Sequence, residues 1–144
     1  MYGENDADEK FFTSIIKKLL SNTPKIQLTE GLQKRDFIYA KDVAKAYIAV
    51  INNIKVLEQY QEFEVGTGYS LTIKEFVQKL AKKTKSKSIL NFGALASRNG
   101  DIDDSYANNV GLNKLGWSCE HNIDQNLNQI IKKEKHRLQY DYRF

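Results

Sequence analysis

The chain has 144 residues, 41% of them hydrophobic and 28% charged, with a net charge of +4. That is enough apolar material for one folded core, which excludes a disordered chain, and no run of about 18 apolar residues offers a membrane-spanning helix. The one cysteine, Cys119, excludes an intrachain disulfide. The polar start Met1–Asp6 lacks a signal-peptide pattern, so a single cytoplasmic domain over 1–144 is expected.

In chain order, residues 8–21 read as an amphipathic helix, because Phe11, Phe12, Ile15, Ile16, Leu19 and Leu20 fall on one face. Pro24 stops it. Ile26–Thr29 alternates as a short strand. Gly31 opens a turn into Phe37-Ile38-Tyr39, a β-branched and aromatic run expected as a strand. Asp42 is placed to cap a helix running to about Asn53. Residues 54–61 form a polar connection with room for one more helical turn.

Phe63–Gly66 reads as a strand ending in Gly66-Thr67-Gly68. Thr72 and Glu75 form a capping-box pattern before a helix whose buried face is Ile73, Phe76, Val77 and Leu80. Ser88–Phe92 is the next strand, and 93–105 a loop long enough to be functional. A short helix opening at Ser105 carries Val110, Leu112 and Leu115, with Gly116 placed just past its end. Asn122 or Asp124 starts a last helix with Ile123, Leu127, Ile130 and Ile131 on one face. Helices separating strands imply an α/β chain with at least one parallel pairing.

Few residues carry chemistry by spacing. Gly66-x-Gly68 follows a strand, but the third glycine of a dinucleotide fingerprint would fall at Leu71, so a plain turn is the reading from spacing. Its amides remain possible anion donors. Arg98 supplies a guanidinium fork, and Asp101, in Ser97-Arg98-Asn99-Gly100-Asp101, an acceptor for a ribose hydroxyl; the alternative is a turn tied by an Arg98–Asp101 pair. With Arg35, two forks can straddle one pyrophosphate. His121 and His136 sit in polar surroundings and are expected to be exposed. Cys119 has no evident base, and Asp101, Asp103 and Asp104 lack a calcium-loop register. No catalytic set and no metal site is expected. The lysines are scattered over helix faces, which argues against a nucleic-acid partner.

The stretch Gln33-x-Arg35-Asp36-Phe37-Ile38, with Asp42-Val43-Ala44, resembles the C-terminal half of extended short-chain dehydrogenase/reductases, the NAD-dependent epimerase/dehydratase family of nucleotide-sugar enzymes. Tyr2-Gly3, Phe63 to Gly68, Arg98-x-Gly100-Asp101 and Leu115-Gly116-Trp117 extend the resemblance over roughly residues 2–132. Glu4 and Ala40-Lys41 depart from the family pattern.

The resemblance implies the substrate-binding part of an extended Rossmann-type fold, without its dinucleotide-binding half. It implies that Arg35 and Arg98 bind the phosphates of a nucleotide sugar and that Asp101 binds the ribose. Phe37 would lie against the nucleotide, and Gln33 is carried over as a substrate contact. A dTDP- or CDP-linked deoxysugar of surface polysaccharide is the substrate the resemblance suggests.

Family members use NAD(P), a Gly-rich turn and a Tyr-x-x-x-Lys pair. No tyrosine here has a lysine four residues on: Tyr39 meets Val43, Tyr69 meets Ile73 and Tyr106 meets Val110. The chain alone is therefore expected to bind no cofactor and to lack catalytic competence. Its partners would be the nucleotide sugar, a separate Rossmann half and, in one reading, a second copy. In the family, the 63–66 strand joins the Rossmann sheet, so alone it is expected to leave an unpaired edge. A standalone nucleotide-sugar or anion-binding module is the alternative reading.

Overall fold

The computed structural model describes residues 1–98, 100–120 and 122–141, with the backbone alone at 140 and 141. Helix α1 (Phe11–Leu20) buries Phe12, Ile15, Ile16 and Leu19 on one face. Helix α3 (Ile73–Thr84) buries Phe76, Val77 and Leu80, and α5 (Ile123–Asp141) contributes Leu127, Ile130 and Ile131. These three helices pack on one another around a shared core. Phe76 is its hub: its ring stacks on Phe37 at 3.8 Å and 5°, and meets Phe12 at 5.5 Å and Tyr2 at 6.0 Å. Burying one such ring contributes roughly 1.5–3 kcal/mol.

Two small sheets flank the helices. Strand β1 (Lys25–Gln27) pairs in parallel with β4 (Ile89–Asn91), Ile26 opposite Leu90. Strand β2 (Lys34–Asp36) pairs antiparallel with β3 (Ser70–Thr72), Arg35 opposite Leu71. Helix α2 (Ala40–Asn52), followed by an exposed 3₁₀ turn (Ile54–Val56), and α4 (Val110–Lys114) enclose a second, smaller core of Ile38, Ala46, Leu112 and Trp117. The indole Nε1–H of Trp117 donates to the Asp42 carbonyl at 3.0 Å and joins the two halves of that core.

The parallel pairing follows the sequence pattern, as does the capping box. The Glu75 N–H donates to Thr72 Oγ1 at 3.0 Å, and the Thr72 N–H donates to Glu75 Oε2 at 2.9 Å. Asn122 starts α5, its Oδ1 accepting the Gln125 N–H at 3.1 Å. Gly116 follows α4 at φ +81, a conformation open to glycine at no cost.

Several boundaries differ from the pattern, each for a local reason. The first helix begins at Phe11, because Asp8 is held outside it by Lys17 and Arg137. The two-stranded ladder runs over 34–36, whereas within Phe37–Tyr39 only Tyr39 is bridged, in parallel with Tyr2; the ladder's partner Ser70–Thr72 also serves as the entry to α3 and reads from sequence as turn and cap. Asp42 does not cap α2. The segment 38–40 is fixed by Tyr2, whose N–H donates to the Ile38 carbonyl at 2.9 Å while its carbonyl accepts the Ala40 N–H at 2.8 Å. The helix therefore starts at Ala40, and Asp42 falls in its first turn, buried at 2% exposure.

Residues 63–66 form no ladder among the described residues; side-chain bonds from Asn109 to Gly66 and from the Asn108 N–H to Glu64 take its place. Phe63 and Val65 instead lean on the smaller core. The short helix begins at Val110 and not at Ser105, because the N–H groups of Ala107 and Asn108 donate to the Asp36 and Glu64 carboxylates. His121 and the tail beyond 141 lie outside the described residues, as does Asn99. His136 is exposed on α5.

Candidate functional site

The site grows from the two edges of β2. One edge pairs with β3; along the other lies the loop 101–104. The Lys34 N–H donates to the Asp103 carbonyl at 2.8 Å, and Lys34 Nζ lies 3.6 Å from Asp104. Arg35 Nη1 donates to the Ile102 carbonyl at 2.5 Å and to the Lys34 carbonyl at 2.7 Å, while Nη2 is ion-paired with the Asp101 carboxylate. The pairing anticipated between Arg98 and Asp101 is thus made by Arg35, 66 positions away in sequence.

Arg98 is exposed and makes no hydrogen bond or ion pair among the described residues. It is three residues from Asp101, so its Cα lies within about 11 Å of the Asp101 Cα. Arg35, Arg98 and Asp101 therefore share one end of the molecule. Phe37 is half-buried with one ring face on Phe76. Gln33 is half-buried, and its carbonyl accepts the Ile73 N–H at 3.1 Å.

Asp36, whose role sequence reasoning missed, is the scaffold of the site. Its carboxylate accepts the Thr67 N–H at 2.8 Å, the Thr67 hydroxyl at 2.7 Å, the Gly68 N–H at 3.0 Å and the Ala107 N–H at 3.2 Å. This explains both glycines of the turn. A side chain at Gly66 would come within 2.5 Å of the Ala107 methyl and closer still to the Asp36 carboxylate, and Gly68 sits at φ +77. Asn109 closes the other side, donating to the Gly66 carbonyl at 2.9 Å. The available signal was adjacency: an acid beside Arg35, opposite a Gly-x-Gly turn. The same contacts decide whether the turn fits a dinucleotide. The Thr67 and Gly68 amides that a phosphate would need are given to Asp36, so the turn does not fit NAD(P).

A cavity of about 210 Å³ opens beside Phe37, lined also by Tyr2, Tyr39, Asp42, Cys119 and Asn126. Burial pushes the Tyr2 phenol well above its ordinary value, with a hydrogen bond to Asn126 opposing. Burial and the hydrogen bond to Glu4 at 2.6 Å also raise the Tyr39 phenol. Burial alone would raise Glu4, but the Tyr39 hydroxyl, its own backbone N–H and Lys41 together hold it below the usual carboxylate range. Both phenols are thus held away from the phenolate form. Cys119 Sγ lies 3.6 Å from Asp42 Oδ2. A wider cleft of about 530 Å³ is lined by Arg35 and Asp36 together with Met1, Val43, Tyr47 and Val65.

Comparison with known proteins gives this geometry a family. Residues 1–66 match the model of the NAD dependent epimerase/dehydratase family. The CDP-abequose synthase of Salmonella muenchen is 38% identical over 135 residues, which is 94% of this chain and 45% of that protein. Among solved structures, the UDP-N-acetylglucosamine 4-epimerase of Methanobrevibacter ruminantium, in complex with UDP-N-acetylmuramic acid, is 26% identical with a TM-score of 0.74; the match covers 94% of this chain and 44% of that one. The UDP-glucose 4-epimerase of Thermotoga maritima, solved with UDP-glucose, shares the fold at a TM-score of 0.78 and 19% identity, over 95% of this chain and 44% of its own. The chain thus spans less than half the length of these relatives, an α/β portion of an extended Rossmann-type fold. It belongs to the NAD-dependent epimerase/dehydratase family of nucleotide-sugar enzymes.

Proposed function

We propose that this chain supplies the nucleotide-sugar grip of an NAD(P)-dependent epimerase, dehydratase or reductase that makes a deoxysugar for surface polysaccharide. The observation that supports the reading is the pairing of Arg35 with Asp101, three residues past Arg98 in sequence, along one edge of β2. Arg35 and Arg98 take the two phosphates, whose planar, bidentate recognition suits a guanidinium. Asp101 accepts from the ribose hydroxyls, Phe37 borders the nucleotide and Gln33 lines the approach. The likeness to a CDP-abequose synthase favours a CDP-linked sugar.

This reading assigns hydride transfer to polypeptide outside this chain, since the Gly66–Gly68 turn is committed to Asp36 and no tyrosine here has a lysine four residues on. A Rossmann half is the partner this reading requires. Its seat is the outer face of α2 and the turn after it, where Tyr47, Ile51 and Ile54 recur at helical spacing with 68%, 62% and 65% of their surfaces exposed, next to the unpaired 63–66 segment.

The test is calorimetric titration of CDP, UDP and dTDP into the chain and its Arg35→Ala and Arg98→Ala variants. Each substitution is expected to weaken nucleotide binding at least about tenfold, the scale of one lost charge-assisted contact. Equal binding by all three proteins would sink the reading.

A further inference from the structure

We propose that the Arg35–Asp101 pair is a latch that a diphosphate opens by exchange, freeing Asp101 for a vicinal diol in the same step. The inference rests on the reading above and deepens it by naming what the ligand must carry: a diphosphate and a ribose together.

The fork of Arg35 is already filled. Nη2 holds the Asp101 carboxylate and Nη1 the carbonyls of Ile102 and Lys34, so an internal anion sits where an external one would bind. A guanidinium presents the same planar pattern of donors to a carboxylate and to a phosphate. The pair is reachable from solvent: the two side chains are 29% and 33% exposed.

Asp101 is also placed to move. On its N-terminal side, Gly100 sits at φ +74 with open space where a side chain would stand. On its C-terminal side, the Asp103 carbonyl is anchored by the Lys34 N–H. The carboxylate thus swings between a hinge and an anchor, and the loop keeps its place when the pair opens.

A bare anion that takes Arg35 leaves Asp101 without its counter-charge. A nucleoside diphosphate offers Asp101 a new partner, the ribose hydroxyls. The latch therefore discriminates against phosphate and pyrophosphate and in favour of a ligand that carries both functions, the kind of negative selection that makes binding specific.

The experiment is a titration of inorganic pyrophosphate and of CDP into the unaltered chain, Asp101→Asn and Arg35→Ala, with Asp101→Ser as a second variant should the Asn form not fold. Removing the internal competitor is expected to tighten pyrophosphate about two- to fivefold, the scale of a partly exposed ion pair. Trading the charged diol acceptor for a neutral one is expected to lower the ratio of CDP to pyrophosphate affinity about tenfold. Arg35→Ala weakens both ligands. If Arg35→Ala weakens both but Asp101→Asn leaves pyrophosphate unchanged or weaker, the latch is overturned and the nucleotide grip stands. If Arg35→Ala changes neither, or no protein binds either ligand, both are overturned.

Discussion

Thr67 gives two hydrogen bonds to a single carboxylate, that of Asp36: its N–H at 2.8 Å and its hydroxyl at 2.7 Å. With Gly68 and Ala107 donating to the same group, three segments distant in sequence are fastened at one point. Asp36→Ala leaves those N–H groups half-buried without an acceptor. It is expected to cost about 3 kcal/mol, read as a lowered urea midpoint, because stranded donors carry their full desolvation penalty. A loss under about 1 kcal/mol would show that water replaces the carboxylate.

Trp117, at 4% exposure, is the one tryptophan of the chain and so reports on the smaller core by fluorescence. Trp117→Phe keeps most of the buried ring and loses the bond to the Asp42 carbonyl, for about 1 kcal/mol. Trp117→Ala opens a cavity and is expected to cost roughly 3–5 kcal/mol. Similar costs for the two would mean that the hydrogen bond, not the ring, sets the stability there.

The capping box makes the start of α3 a measurable quantity. Thr72→Ala removes the acceptor of the Glu75 N–H and is expected to destabilise the chain by about 1 kcal/mol. Thr72→Ser, which keeps the oxygen, is expected to retain most of it. A Ser variant as unstable as the Ala variant would place the effect in β3 pairing instead.

Lys83 and Lys79 bond the Asp124 carboxylate and hold it below the usual carboxylate range. A depressed folded-state pKa contributes stability that is complete above the unfolded value, about 3.9, and is lost as pH falls through the lower folded value. Asp124→Asn should flatten the fall of stability below about pH 4 and cost little near neutrality, since the carboxylate is 56% exposed and screened. Urea midpoints from acid to neutral pH check this; an unaltered acid limb would assign the acid sensitivity elsewhere.

The uncovered face of α2 predicts association. Tyr47, Ile51 and Ile54 leave 68%, 62% and 65% of their surfaces open at helical spacing, an apolar stripe suited to an interaction surface. Light scattering of the chain alone should show self-association or a marginal melt, relieved by Ile51→Lys. A cooperative, monomeric unfolding at high temperature would contradict it.

How far the amino acids alone disclosed the structure depended on the range of the interaction. The helical faces of α1, α3 and α5, the Thr72–Glu75 box and the Gly116 end are written within a few residues and were legible. The pairing of 34–36 with 70–72 was not, because Ser70-Leu71-Thr72 has to serve both as strand and as helix entrance. Asp42 looks like a cap until Tyr2, 40 positions earlier in number, fixes where the helix starts. At the candidate site the pairing of Arg35 with Asp101 was not legible. Which arginine meets Asp101 is decided by the lie of a loop along β2, a relation no local spacing encodes.

Lys85 closes α3 in a left-handed turn at φ +55, a shape that a side chain holds at some cost. It stands at the opposite end of a 12-residue helix from Thr72, about 18 Å along the axis. Here glycine would be at home, and the fold can be made hardier at that corner, a helix length from the strand pair that carries Arg35.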